Sequence, residues 1–114
     1  MHVTRFDQAP AYYPPEHFDM RCLRLQGREA GPSDTLWLGM SQLLPGGHTS
    51  LDASPIEKIY FVLEGELTIE TPEGETTLNR YDSCRIAPGE GRALKNNTNA
   101  PVIVLLAMPL AAAK

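Results

Sequence analysis

Apolar and polar positions alternate along most of this chain, and nowhere does a three-to-four periodicity persist. The strongest apolar signal is Ile59-Tyr60-Phe61-Val62-Leu63, β-branched and aromatic, bounded by Ser54-Pro55 before and Glu64-Gly65-Glu66 after. Such a run predicts a strand buried on both faces. A strand's period of two puts Lys58, Tyr60 and Val62 on one face and Ile59, Phe61 and Leu63 on the other. A lysine at the start of that strand is the unusual feature.

Further strands are predicted around it. Arg21–Gln26 alternates, and Thr35–Leu44 is strongly β, with Gly39 marking a bulge or a close backbone approach. Pro45-Gly46-Gly47 reads as a turn. Glu66–Glu70 and Glu75–Leu78 flank a hairpin turn at Thr71–Gly74, and Ser83–Ile86, Arg92–Asn96 and Val102–Met108 follow. Short strands separated by Gly/Pro turns predict an all-β antiparallel sandwich or barrel. Residues 1–20, with their prolines and Tyr12-Tyr13, form an extended arm expected to pack on the body or on a neighbouring subunit. The barrel is expected over 21–109 and a tail, read as a frayed helical turn, over 110–114.

At 114 residues the chain makes one domain with a core of its own. A net charge of -4 supplies no basic field, which argues against nucleic-acid binding. Cys22 and Cys84 lie far apart in no CxxC pair, and read as thiols in a reducing compartment. No charged-then-apolar leader opens the sequence. The longest apolar run, Pro101 to Ala113, is shorter than the roughly 20 residues of a membrane span. A cytoplasmic location is expected.

The order of parts resembles the cupin superfamily, small RmlC-like jelly-roll barrels (double-stranded β-helices). Gly65 within Val62-Leu63-Glu64-Gly65-Glu66-Leu67 closes a first cupin motif. Asp82, Ala87-Pro88-Gly89 and Asn96 keep the spacing of a second. The likeness spans about Leu43 to Pro109. The family's metal-ligand positions are substituted. The two histidines of the first motif fall on Asp52 and Ser54, its glutamate on Lys58, and the histidine of the second motif on Arg92. Lysine and arginine offer no free lone pair at neutral pH, so these residues replace a metal's charge instead of binding one.

The resemblance therefore implies a cofactor-free and metal-free cavity in which Lys58 and Arg92 hold a small carboxylate, enolate or phosphate. Asp52 or His48 would move a proton, and Tyr60, Ser54, Glu90 and His17 would contact the ligand. Structural alternatives stand beside each role: a Lys58–Asp52 ion pair, an Arg92–Glu90 ion pair, Tyr60 as core and His17 as surface. The functional expectation is a metal-independent lyase, isomerase or decarboxylase acting on an organic acid. The alternatives are a non-catalytic binding or sensing module, and a metal cupin with shifted ligands (His48, Asp52, Glu57 and His17). The apolar Ile59/Phe61/Leu63 face implies a homodimer, as is common among cupins.

Overall fold

The computed structural model describes residues 1–110. The expected tail helix at 110–114 falls almost wholly outside them. Nine strands are present among the described residues: β1 (Ala11–Tyr12), β2 (His17–Gln26), β3 (Leu36–Thr49), β4 (Lys58–Glu64), β5 (Leu67–Thr71), β6 (Gly74–Leu78), β7 (Ser83–Ile86), β8 (Ala93–Lys95) and β9 (Val102–Pro109). All pair antiparallel, in the order β6-β5-β8-β3-β9-β4-β7, with β2 also on β3 and β1 on β2. The architecture is an all-β jelly-roll barrel.

The long strand β3 belongs to both sides of the barrel. Its first half, Leu36 to Leu43, pairs with β9, and His48 pairs with Lys95 of β8. The change of side occurs at Pro45-Gly46-Gly47. That segment is not the chain-reversing turn expected from its composition but a corner inside the strand. Opposite it, Asp19 is the only residue of β2 between the partners of Leu43 and His48, so the corner is a large bulge. Gly46 takes φ +83°, and a Cβ on Gly47 would lie 2.5 Å from the Asp19 carbonyl, so glycine is needed at both places. Asn96 of the β8–β9 connection ties the corner down, its carbonyl accepting from Gly46 N and its N–H donating to Gly47 O.

Alternation holds in β4 as expected for one face. Lys58, Tyr60 and Val62 are buried, whereas Ile59 remains 40% exposed and Phe61 and Leu63 are half-buried. The strand is thus covered on one face rather than two within a single chain. Leu43, Val62, Leu67, Val102 and Val104 are wholly buried between the two sides of the barrel. Each contributes roughly 1.5–3 kcal/mol of apolar burial. Gly39 is a close-approach position, because a Cβ there would meet the Trp37 ring at 2.7 Å and Leu23 O at 3.1 Å. The arm is not featureless: after a short 3-10 turn at Phe6–Gln8, β1 pairs Ala11 with Leu23 and Tyr12 with Cys22. No helix among the described residues is long and apolar enough to cross a membrane.

Candidate functional site

At one end of the barrel, β2, β3, β4, β9 and the arm surround a cavity of about 470 Å³. Its floor is built from inward positions of strands: Trp37 of β3, Lys58 of β4, Leu106 and Met108 of β9, and Arg92 just before β8. Its wall is the arm, Tyr12 to Pro15, continuing into His17. Strand phase explains the floor. Lys58 shares the face of Tyr60 and Val62, and Arg92 is delivered by an isolated bridge in which Asp52 N donates to Arg92 O and Arg92 N to Asp52 O.

Both floor cations are buried, Lys58 to 6% and Arg92 to 8% exposure. Lys58 Nζ donates to Ser54 Oγ at 2.7 Å. Arg92 Nε donates to the Tyr60 hydroxyl at 2.9 Å, and Nη1 reaches Thr49 Oγ1 at 3.4 Å. Neither pairs with a carboxylate among the described residues. The Lys58–Asp52 and Arg92–Glu90 ion pairs weighed from the sequence do not form. Burial, and then the nearby Arg92 charge, push the Lys58 pKa down, against a smaller opposing pull from Asp52.

Arg24 is handled differently. Its Nε donates to Glu29 at 2.8 Å, and its guanidinium lies 3.5 Å from the Tyr12 ring centroid and 4.4 Å from that of Trp37. Those two rings meet edge to face at 5.9 Å. Arg24 is therefore neutralised and stacked. Glu29's own main-chain N–H, then Arg24, hold its carboxyl below the usual range.

Several residues singled out from the sequence lie elsewhere. His48 is exposed on the outside of the barrel, stacked on Phe18 at 4.9 Å, with Nδ1 bonded to Gly46 O. Asp52 is exposed and does not line the cavity, and Glu90 folds back to accept a bond from Ala87 N. Tyr60, 1% exposed, lies beneath the cavity as the partner of Arg92, and Ser54 is the partner of Lys58. His17 does line the cavity. Residues not foreseen are Thr49, Arg24, Glu29, Tyr12 and Trp37. Thr49 was legible: reading β3 straight through its corner keeps the odd-numbered phase, buried from Trp37 to Leu43 and, past the exposed Pro45, again at Gly47 and Thr49.

The residues at the family's metal positions do not fit an ion. Two are cations and a third, Ser54, is committed to Lys58. Among the described residues no three His, Cys, Asp or Glu side chains come together as a metal would require. Glu57, the candidate shifted carboxylate, is ion-paired with Arg85 at the surface.

A family model described as a cupin domain matches residues 39–108. A Mycobacterium tuberculosis protein named beta-D-galactosidase is 41% identical over 113 residues, spanning 97% of each chain. Among solved structures, the polyketide cyclase RemF of Streptomyces resistomycificus superposes with a TM-score of 0.85 at 18% identity, over 96% of this chain and 79% of that one. A sugar phosphate isomerase of the cupin superfamily from Silicibacter pomeroyi gives 0.79 at 22%, over 94% and 74%. At such identities the two structures speak for the fold alone.

Proposed function

The chain belongs to the cupin family, and we propose that its barrel binds a small organic anion, of carboxylate type, without a metal. The observation that carries this reading is a pair of buried cations, Lys58 and Arg92, facing one cavity with no carboxylate partner among the described residues. A buried charge is costly unless compensated, and an anionic ligand compensates it. The volume of about 470 Å³ lies in the ordinary range for small-molecule sites. Lys58 offers a point charge and Arg92 a planar fork, a combination suited to a carboxylate and an adjacent developing oxyanion. The reaction classes that use such a pair are enolate-forming: isomerisation, elimination or decarboxylation of an organic acid.

The test is thermal denaturation with malonate, pyruvate or phosphate, against sodium chloride of matched ionic strength. These anions are expected to raise the melting temperature of the native protein and to leave Lys58→Met unmoved. Equal stabilisation of both proteins would sink the reading.

A second reading is favoured by the name of the 41% identical relative, and takes a galactoside as substrate. Glycoside hydrolysis ordinarily uses two carboxylates about 5–9.5 Å apart. Here Glu29 is the single carboxylate lining the cavity among the described residues, and it is engaged by Arg24. Release of nitrophenol from a nitrophenyl β-D-galactoside, abolished by Glu29→Gln, would establish the second reading over the first.

We also propose a homodimer through the outer face of β3, β9 and β4, where Leu38, Ala107 and Ile59 align in one row and Met40, Leu105 and Phe61 in the next. Phe61→Glu should convert a dimer to a monomer in native mass spectrometry. A cytoplasmic setting fits the free thiols of Cys22 and Cys84.

A further inference from the structure

Of the three histidines, only His17 lines the cavity. His2 Nε2 lies 2.8 Å from the Ala30 carbonyl, and His48 is on the outside of the barrel. His17 Nδ1 lies 2.7 Å from the Pro15 carbonyl. A carbonyl oxygen can only accept, so Nδ1 carries the hydrogen and the neutral ring's Nε2 is left with a bare lone pair. Pro14-Pro15 fixes the backbone that supplies this carbonyl, since both φ angles are locked by their rings. The ring's tautomer is thereby set by an element with little conformational freedom.

The surroundings keep that ring neutral. Burial comes first in lowering its pKa, the Pro15 bond opposes it, and the Arg92 charge lowers it further. The charged and titratable groups around the same cavity are Lys58, Arg92, Arg24, Glu29, Tyr12 and Tyr13, with Arg24 and Glu29 cancelling one another. Two uncancelled cations and one neutral imidazole thus share one cavity. Cations hold and polarise an anion, and an imidazole with a free lone pair takes a proton from it.

Resting on the anion-binding reading above, we propose that His17 Nε2 removes a proton from the carbon beside the carbonyl of a small oxo acid held by Lys58 and Arg92. The carbon–hydrogen bond breaks, and its electron pair forms the carbon–carbon double bond of an enolate. The carbonyl π pair moves onto oxygen, where the negative charge meets the two cations. The proton forms a new N–H bond at Nε2, while the other hydrogen stays on Nδ1, donated to the Pro15 carbonyl. Returning the proton to a different atom of the enolate isomerises the substrate with no change of oxidation state. The imidazolium formed beside Arg92 is offset by the enolate charge formed in the same step.

Pyruvate in D2O is the probe, followed by proton NMR for loss of its methyl signal and by calorimetry for binding. The native protein is expected to exchange the methyl hydrogens well above the buffer rate. His17→Gln should lower that rate roughly a hundredfold with pyruvate affinity nearly unchanged, and His17→Asn should do the same. The native exchange rate should fall as pH drops through the lowered pKa of His17, below that of a free imidazole, as Nε2 becomes protonated. Pyruvate binding without exchange, or exchange undiminished in both variants, would overturn the role of His17 while leaving the anion site standing. Failure of pyruvate, malonate and phosphate alike to bind at millimolar concentration would overturn the anion site itself, and this inference with it.

Discussion

Two buried polar residues four positions apart, Arg92 and Asn96, are treated in opposite ways by the same barrel. Asn96, 1% exposed, is satisfied wholly by protein: Nδ2 donates to Leu43 O at 3.0 Å and Ala100 O at 2.8 Å, and Oδ1 accepts from Thr98 N and Thr98 Oγ1. Nothing about it calls for a further partner. Arg92 is 8% exposed, yet its bonds go to two hydroxyls, Tyr60 and Thr49, which accept hydrogens without cancelling charge. Lys58 repeats the pattern with Ser54. A satisfied neutral group fixes a loop, whereas a hydrogen-bonded but uncompensated charge marks where something from outside belongs.

The comparison is broken most severely at Asn96. Replacing it with alanine strands the Leu43 carbonyl and frees the Thr98 turn, at about 1–3 kcal/mol for each buried group left unpaired. Asn96→Ala should therefore lower the urea midpoint strongly, and an unchanged midpoint would show that Leu43 O and the Thr98 turn do not depend on the Asn96 side chain. Lys58→Met should go the other way in ligand-free protein. Exchanging an uncompensated buried cation for an isosteric apolar chain is expected to leave stability equal or raise it by about 1 kcal/mol. A large loss instead would mean that Lys58 is structural, like Asn96.

The smallest effect concerns His17. Its folded-state pKa lies below the unfolded value of 6.5, so the unfolded chain binds more protons in the interval between them. Stability contributed by His17 is complete above pH 6.5 and declines as pH falls from there through the folded pKa. Urea midpoints of the native protein minus those of His17→Gln, measured across that interval, should narrow as pH falls. A difference that is constant with pH would remove His17 from the titrating groups.

The two floor cations and His17 were legible from the sequence, and the aromatic and Arg24–Glu29 parts of the cavity were not. Lys58 could be assigned to the core face of β4 because a period of two needs only the residues that follow it, Tyr60 and Val62. Arg92 could be placed by the turn that precedes it. His48 was misplaced for a local reason: a Pro-Gly-Gly segment reads as a chain reversal, which would release the strand's phase, whereas here the strand bends and keeps it. Tyr12, Arg24 and Glu29 were beyond reach for a non-local one. They gather at the cavity only because Tyr12 pairs with Cys22 across a register set by tertiary packing. No periodicity within the arm encodes that meeting.

The arm contributes just two residues of strand before β2, Ala11 and Tyr12, with further hydrogen bonds at His2, Pro10 and Glu16, and it forms one side of the cavity. Tyr13 and Pro15 are exposed, so substitutions there should leave the barrel's folding free energy largely alone while reshaping the entrance. Recognition in this chain is thus separable from foldability. A lineage could change what it binds by editing Tyr13 to Pro15 and keep Lys58, Arg92 and the core that carries them.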